Sequence, residues 1–495
     1  MTSKLNRKAM VLGILSWLAT VSAVAVAHGE DAKPEAGKPG GLYREQYRPQ
    51  FHFTPKKGWM NDPNGMLFYQ GEYHLFFQCD PDRPFNACGI KYWGHAVSSD
   101  MLHWTELDNA IEPDAIGSIW SGSGVVDWNN TTGFQAGVEK PLVCIYTSAG
   151  GQSPGSEGKP FVQSITFSND RGRTWTKYEK NPVLNRISGE NRDPKVFWHA
   201  PSKQWIMALY LEKNDYALFG SPNLKEWTRL GGLAFPGNAE CPDFFELPVD
   251  GDAKNTQWVF WGANNTYLLG SFDGKAFRQE SGPYQSHWGE HRYAAQTFND
   301  MPAADGRRIQ IAWMAVGDFT GMPFNQQMSV PVVLSLRTFP EGVRICTLPV
   351  KELDTLHGKR HAWKGLLRPG DNPLAEVGGD LFDIRLAVEP GKASEVGLKI
   401  RGVDVQYRVR EKTLSCMGKS APVELVDGRL TIQALVDRTS IELFAADGRV
   451  NMAYCFRPAE QDKGLTVYAK DGDASVQSLD VWELKSTWPA QSPNR

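Results

Sequence analysis

Cysteine is scarce and odd in number. There are seven, at positions 79, 88, 144, 241, 346, 416 and 455, in 495 residues. At least one must stay unpaired in a monomer, which excludes a disulfide scaffold. Only Cys79 and Cys88 are close enough in sequence to suggest a bridge. No basic block occurs either, and 53 Lys and Arg against 56 Asp and Glu give a formal charge of -3. That balance argues against a nucleic-acid partner. After the first 27 residues no apolar run is long enough to span a bilayer. Helical patterning is rare throughout. No Cys/His cluster supports a structural zinc. His287-Trp288-Gly289-Glu290-His291 matches a metalloprotease pattern, but that chemistry needs a helix. Gly289 and the preceding Ser281-Gly282-Pro283 favour a loop. No metal and no cofactor is expected.

The first 27 residues read as a removable export signal. Lys4, Arg7 and Lys8 open it, Met10 to Val26 is mostly apolar, and Ala25-Val26-Ala27 is a small-x-small cleavage site. Without those three cations the formal charge becomes -6. Residues 28–46, rich in Gly, Pro and charge, are expected to be a disordered lead-in. The mature chain is then secreted or periplasmic. The sequence leaves its oligomeric state open.

What is abundant is aromatic: 17 Trp, 15 Tyr and 24 Phe. These serve large β cores and also stack on sugar rings. Four turns share one pattern, rich in Ser, Asp, Asn or Gly and closed by an aromatic. They are Ser99-Asp100-Met101-Leu102-His103-Trp104, Ser168 to Trp175, Ser221 to Trp227 and Ser271 to Phe277. Each follows an apolar strand, and the closing aromatics are 71, 52 and 50 residues apart. A unit of about 50 residues with several short strands points to a β-propeller. A fifth unit without the turn fits around Arg308 to Met314. Beyond residue 350 aromatics thin out and charge alternates with Val, Leu and Ile, as in Leu381-Phe382-Asp383-Ile384-Arg385-Leu386. That alternation reads as half-buried antiparallel strands. The expectation is all-β: a five-bladed propeller over 47–345, a linker at 346–359 and a β-sandwich over 360–486.

Gly58-Trp59-Met60-Asn61-Asp62-Pro63-Asn64-Gly65 concentrates turn chemistry around a carboxylate. Asp62 is therefore expected on a rigid turn at the mouth of a hairpin. Two more carboxylates recur in aromatic, strand-like surroundings. Asp193 lies in Asn191-Arg192-Asp193-Pro194, and Glu240 in Ala239-Glu240-Cys241-Pro242-Asp243. The innermost strands of a propeller converge on one axial funnel, so residues 62, 193 and 240 can meet there. Two carboxylates flanking a glycosidic bond are what sugar transfer requires.

Six motifs in order then carry a resemblance: Trp59 to Gly65, Phe77-Gln78-Cys79-Asp80-Pro81, Trp93-Gly94-His95, Trp120-Ser121-Gly122-Ser123, Arg192-Asp193-Pro194 and Glu240-Cys241-Pro242-Asp243. The chain resembles family-32 glycoside hydrolases, the invertases, inulinases and levanases, from about Tyr47 to Leu484. Asp437-Arg438-Thr439-Ser440-Ile441-Glu442-Leu443-Phe444 is similar to that family's sandwich signature. The resemblance implies hydrolysis of β-fructofuranosides with retention. It implies Asp62 as nucleophile, Glu240 as acid/base and Asp193, helped by Arg192, as the carboxylate that grips fructosyl hydroxyls. Asn61, Gln78, Trp120, Ser121, Tyr293 and Trp313 would line the first sugar pocket. The substrate would be a small or polymeric fructoside. Two departures, Cys79-Asp80 after the Gln-containing strand and Cys88 in place of a Trp, are expected to border the pocket. They leave the choice among levan, inulin and sucrose open. The competing readings are a non-catalytic fructan-binding protein on the same scaffold and another propeller glycosidase such as an arabinosidase.

Overall fold

The computed structural model describes residues 42–84, 89–315 and 317–489. The export-signal reading and Cys88 lie outside these residues. Among the described residues the one helical element is the 3₁₀ turn Lys351–Leu356; the rest of the regular structure is strand.

Five four-stranded blades follow one another along the chain. The first strands of the blades are Gly58–Tyr69, Ser118–Val126, Arg192–His199, Asp243–Val249 and Tyr293–Thr297. In blades one to four the strands pair in chain order, antiparallel, from the first outward. The fifth blade pairs Tyr293–Thr297, Arg308–Trp313, Val332–Phe339 and Gly342–Pro349 in that order. Phe324-Asn325 runs parallel to Gly58-Trp59, so the last blade is stitched to the first.

The repeated turn has one job. Asp100, Asp170, Asn223 and Asp273 each turn a side-chain oxygen back to two backbone N–H groups, two and three residues on for 100, 223 and 273, three and four for 170. The next residue is left-handed each time: Met101, Arg171, Leu224 and Gly274 have φ of 66°, 60°, 61° and 88°. Short polar side chains favour this local capping, and it sets the hairpin between the third and outermost strands. The fifth blade lacks it, as its sequence indicated.

Neighbouring first strands are tied across the axis. Asn64 Oδ1 accepts from Gly122 N at 3.1 Å. Ser123 Oγ donates to Pro194 O at 2.9 Å and accepts from Val196 N at 2.8 Å. Asp243 accepts from Thr297 N at 2.6 Å. Asn299 N donates to Met66 O at 3.0 Å. Gly124 has no room for a side chain, since a Cβ there would sit 2.4 Å from Gly65 O. Lys195, 2% exposed, crosses this layer, with Nζ 2.7 Å from Thr297 O and 3.1 Å from Asp243. The axis is thus packed rather than open, and a funnel above it has a floor.

Two sheets, of six and five strands, form the sandwich. Its core includes Phe382, Ile384, Leu398, Leu443 and Val481. The expected linker is shorter than 346–359. Residues 346–349 complete the strand Gly342–Pro349, and His357–Leu367 is already the first sandwich strand. The lead-in also ends earlier than 46: Tyr43 stacks on Trp488 at 4.0 Å, and Arg48 pairs with Glu45 at 2.6 Å.

Candidate functional site

All five first strands run the same way, so their starting ends meet at one mouth. Each blade contributes from there. Asn61 and Asp62 come from blade one, Trp120 and Ser121 from blade two, Arg192 and Asp193 from blade three, and Tyr293 from blade five. Glu240 sits on the segment that leads into Asp243–Val249. Second strands add Gln78 and Trp313. With Trp59 and Lys91, these residues other than Ser121 line a cavity of about 200 Å³.

Asp62 is not on a turn. It lies inside the strand Gly58–Tyr69, within the first of two interruptions of the ladder with Glu72–Asp80, at Met60/Pro63 and Asn64/Leu67. The run that reads as turn chemistry is absorbed here because a blade's first strand has one side facing the axis. Pro63 needs no ladder donor on that side, and the bulges re-aim the side chains. The hairpin turn comes later, at Gln70-Gly71, with φ of 46° and 86°.

A directed chain of hydrogen bonds ends on Asp62. Trp59 Nε1 donates to Asn61 Oδ1 at 3.2 Å, and Asn61 Nδ2 to Gln78 Oε1 at 2.6 Å. Gln78 Nε2 donates to Ser121 Oγ at 2.7 Å, and Ser121 Oγ to Asp62 Oδ2 at 2.6 Å. Every donor points toward the carboxylate, which suits its charged form. Burial raises the Asp62 pKa, Ser121, Asn61 and Cys241 oppose that, and the Glu240 charge adds to it; the balance is upward.

Asp193 is 4% exposed. Its Oδ2 accepts from Cys241 N at 3.0 Å and lies 3.8 Å from Arg192 Nε. Burial pushes its pKa up to about 7, with Glu240 and Asp62 adding to the rise against Arg192. Glu240 is held from both sides: Arg192 donates to Oε1 at 2.7 Å and Tyr293 Oη to Oε2 at 2.8 Å. Burial opposes the Arg192 charge, but Asp193 and Glu240 prevail and raise its pKa. The Cys241 thiol lies 3.5 Å from both Asp62 and Asp193. Burial and the three carboxylates keep it protonated. Asp193, Glu240 and Cys241 all have positive φ, at 63°, 64° and 36°. Such conformations cost energy in residues with a Cβ and persist where surrounding structure enforces them.

One wall is aromatic. Trp313 meets Trp59 edge-on at 6.2 Å and Tyr293 at 6.5 Å. Trp120 stands opposite Arg192, whose guanidinium is 6.0 Å from the indole and 4.6 Å from the Tyr210 ring. The structure therefore brings together all ten residues expected at the site. Ser121, 2% exposed, acts from beneath Asp62 rather than on the cavity wall. Trp59 and Lys91 were missed as wall residues. Trp59 was findable, being two positions from Asn61 and so on the same face of a strand. Lys91 was not, since it precedes Trp93-Gly94-His95 by two residues without a motif of its own.

Two expectations fail. Cys79 does not border the pocket: it pairs across from Met60 and belongs to the hydrophobic core. Its thiol is free, and the suggested partner Cys88 lies outside the described residues. Asp80 is 4% exposed, and its carboxylate fills the space a Gly89 side chain would take. The H-x-x-E-H segment forms no metal cluster among the described residues. His287 is buried, and its Nε2 accepts from Ala453 N at 2.9 Å.

The family model described as the glycosyl hydrolases family 32 N-terminal domain matches residues 52–349, and the model of that family's C-terminal domain matches residues 352–483. A levanase of Bacillus subtilis (strain 168) is 40% identical over 494 residues, covering 90% of this chain and 72% of the relative. Invertase 1 of Saccharomyces cerevisiae is 38% identical over 320 residues, 59% of this chain and 58% of the relative. The crystal structure of an exo-inulinase from Aspergillus awamori superposes with a TM-score of 0.81 at 27% identity, covering 90% of this chain and all of that one.

Proposed function

The chain belongs to glycosyl hydrolase family 32, and from that premise we propose that it is a retaining β-fructofuranosidase that removes terminal fructosyl units from fructans and from sucrose. The observation that carries this reading is the meeting of Asp62, Asp193 and Glu240, from three blades, on one small floored cavity. Levanase, exo-inulinase and invertase are the named activities of its relatives.

Asp62, with hydroxyl, amide and thiol donors around it, attacks the anomeric carbon of the fructosyl unit. Glu240 gives its proton to the departing oxygen and later takes one from water. Retention needs the two carboxyls about 5–5.5 Å apart. Asp193 and Arg192 hold fructosyl hydroxyls, and Asn61, Gln78, Trp120, Tyr293 and Trp313 shape the pocket. A floor admits only a chain end, so cleavage is exo and releases fructose. The relatives named extracellular exo-inulinases support export after residue 27, with a mature N-terminus at His28 that N-terminal sequencing would check.

Two measurements test the proposal. Early products from levan or inulin should be free fructose; a ladder of oligosaccharides appearing first would overturn exo-action. Glu240→Gln should lose on the order of 10²–10⁴ in rate on sucrose yet spare the first step on β-fructosyl fluoride, whose leaving group needs no proton. Equal loss on both would remove Glu240 from the acid/base role.

A further inference from the structure

The segment that mimics a metal motif lies between the sandwich and the funnel. Val450–Cys455 is an edge strand of the six-stranded sandwich sheet. An open edge strand offers unpaired N–H and C=O groups. Residues 287–291 cover it. Trp288 N donates to Asn451 O at 2.9 Å, and Glu290 N and His291 N to Ala453 O at 3.2 and 3.0 Å. The outward N–H of Ala453 is taken by the His287 ring, Nε2, at 2.9 Å. Glu290 adds an ion pair to Lys419 at 2.6 Å. Gly289 is wedged so closely that a Cβ would sit 2.4 Å from Ala453 N. Three residues on, Arg292 is clamped at 5% exposure by Gln310 at 2.6 Å and Asn265 at 3.2 Å. The next residue is Tyr293, whose hydroxyl donates to Glu240 at 2.8 Å. Seven residues, 287–293, thus join a sandwich edge to a funnel carboxylate.

We infer that His287 is a positioning residue: by accepting the Ala453 N–H it fixes the register of the 287–291 strap on the sandwich, and the strap sets where the Tyr293 hydroxyl meets Glu240. The sandwich then contributes to proton transfer without touching substrate. Burial holds His287 well below the ordinary histidine pKa, as an acceptor nitrogen requires. The inference rests on the acid/base reading of Glu240.

The test compares sucrose with β-fructosyl fluoride. His287→Leu leaves the Ala453 N–H unpaired and should lower kcat/KM on sucrose by about tenfold to a hundredfold, the cost of a small misplacement of a reacting group. The fluoride, which needs no proton, should change by less than about twofold. His287→Gln, which can present an acceptor at the same reach, should restore most of the loss. In a Tyr293→Phe background His287→Leu should add almost nothing, because both act through one contact. Should His287→Leu not fold, Gly289→Ala, which pushes the strap off Ala453, is read the same way. Equal loss on both substrates, no loss on either, or independent effects in the double variant would overturn the inference. Failure of Glu240→Gln to separate the two substrates would instead overturn the acid/base reading, whatever the strap does.

Discussion

Two clusters of three ionisable groups, one fully buried and one at the funnel, sit in this molecule and are built in opposite ways. At the junction of propeller and sandwich, His52 lies between Asp437 and Glu442, each at most 1% exposed. His52 Nδ1 is 2.8 Å from Asp437 and Nε2 is 3.0 Å from Glu442. Asp437 also accepts from the backbone N–H groups of Gln50, Phe51, His52 and Arg438, and Glu442 from Val330 N. Burial opposes the His52 charge, but the two carboxylates win and raise its pKa to about 9. Burial likewise opposes the Asp437 charge; His52 and the N–H groups overcome it and lower the pKa. None of the three has a positive φ. In the funnel, the Arg192 guanidinium pairs with Glu240 and Asp193 but not Asp62, the backbone is strained, and the Asp62 and Asp193 pKa values move up. The junction is a set of charges paired in the folded state, with only Glu442 Oε2 among its carboxylate oxygens lacking a hydrogen-bond partner. The funnel is a set left under-satisfied, which a bound substrate can complete.

That contrast can be broken where it is sharpest. Asp62→Asn should lose on the order of 10⁴ or more in kcat, with the unfolding transition unmoved, since Asn still accepts from Ser121. Comparable residual turnover in a purified variant would sink the nucleophile. At the junction the reverse holds. His52→Leu strands two buried carboxylates and should cost about 3–5 kcal/mol in denaturant unfolding, with kcat on sucrose little changed while the protein is folded.

The pH dependence sharpens the same contrast. The His52 pKa in the folded state is about 9 against an ordinary 6.5. Its stabilisation is therefore complete below the ordinary value and is lost as pH rises through about 9. Unfolding midpoints should fall across that window by the equivalent of about 3 kcal/mol, and His52→Leu should flatten the fall. Asp193 acts in the same sense over a lower window, through the cost of its charge rather than the loss of one. Its folded pKa, about 7, lies above the ordinary 3.8, so ionising it costs the folded state progressively as pH rises from the lower to the higher value. The smallest expected effect follows. Asp193→Asn should raise the melting temperature at pH 8 by a few degrees while abolishing most activity. An unchanged or lower melting temperature would mean that Arg192 and Cys241 N already satisfy that carboxylate.

Much of the architecture was legible. The Asx turn announces itself because a short polar side chain, a left-handed residue and a closing aromatic are all local, so four blades could be counted from sequence spacing alone. The missing turn of the fifth blade was visible for the same reason. Asn61-Asp62-Pro63-Asn64-Gly65 was misread because its residues favour a turn in isolation. Only the surrounding blade supplies a strand with one side facing the axis, where Pro63 lacks nothing and the bare Gly124 lets the Gly65 carbonyl approach. Cys79 was placed at the pocket by its neighbours in sequence, but strand alternation turns it from Gln78 into the core.

What the sequence by itself determined is the inventory and its local geometry: which carboxylates exist, which turns close each hairpin, and which strands alternate. What only the tertiary structure decided is how charges 47 to 178 residues apart along the chain share one environment. The pKa of Asp193 depends on the Glu240 and Asp62 charges and on the depth of the funnel, and the charge of His52 depends on Asp437 and Glu442, from a different domain. Burial and Coulomb interaction depend on distance through space, and a linear pattern fixes that distance only within a few residues. The H-x-x-E-H run is the plainest case: its letters suggest a metal, and its folded position makes it the cover of a sandwich edge.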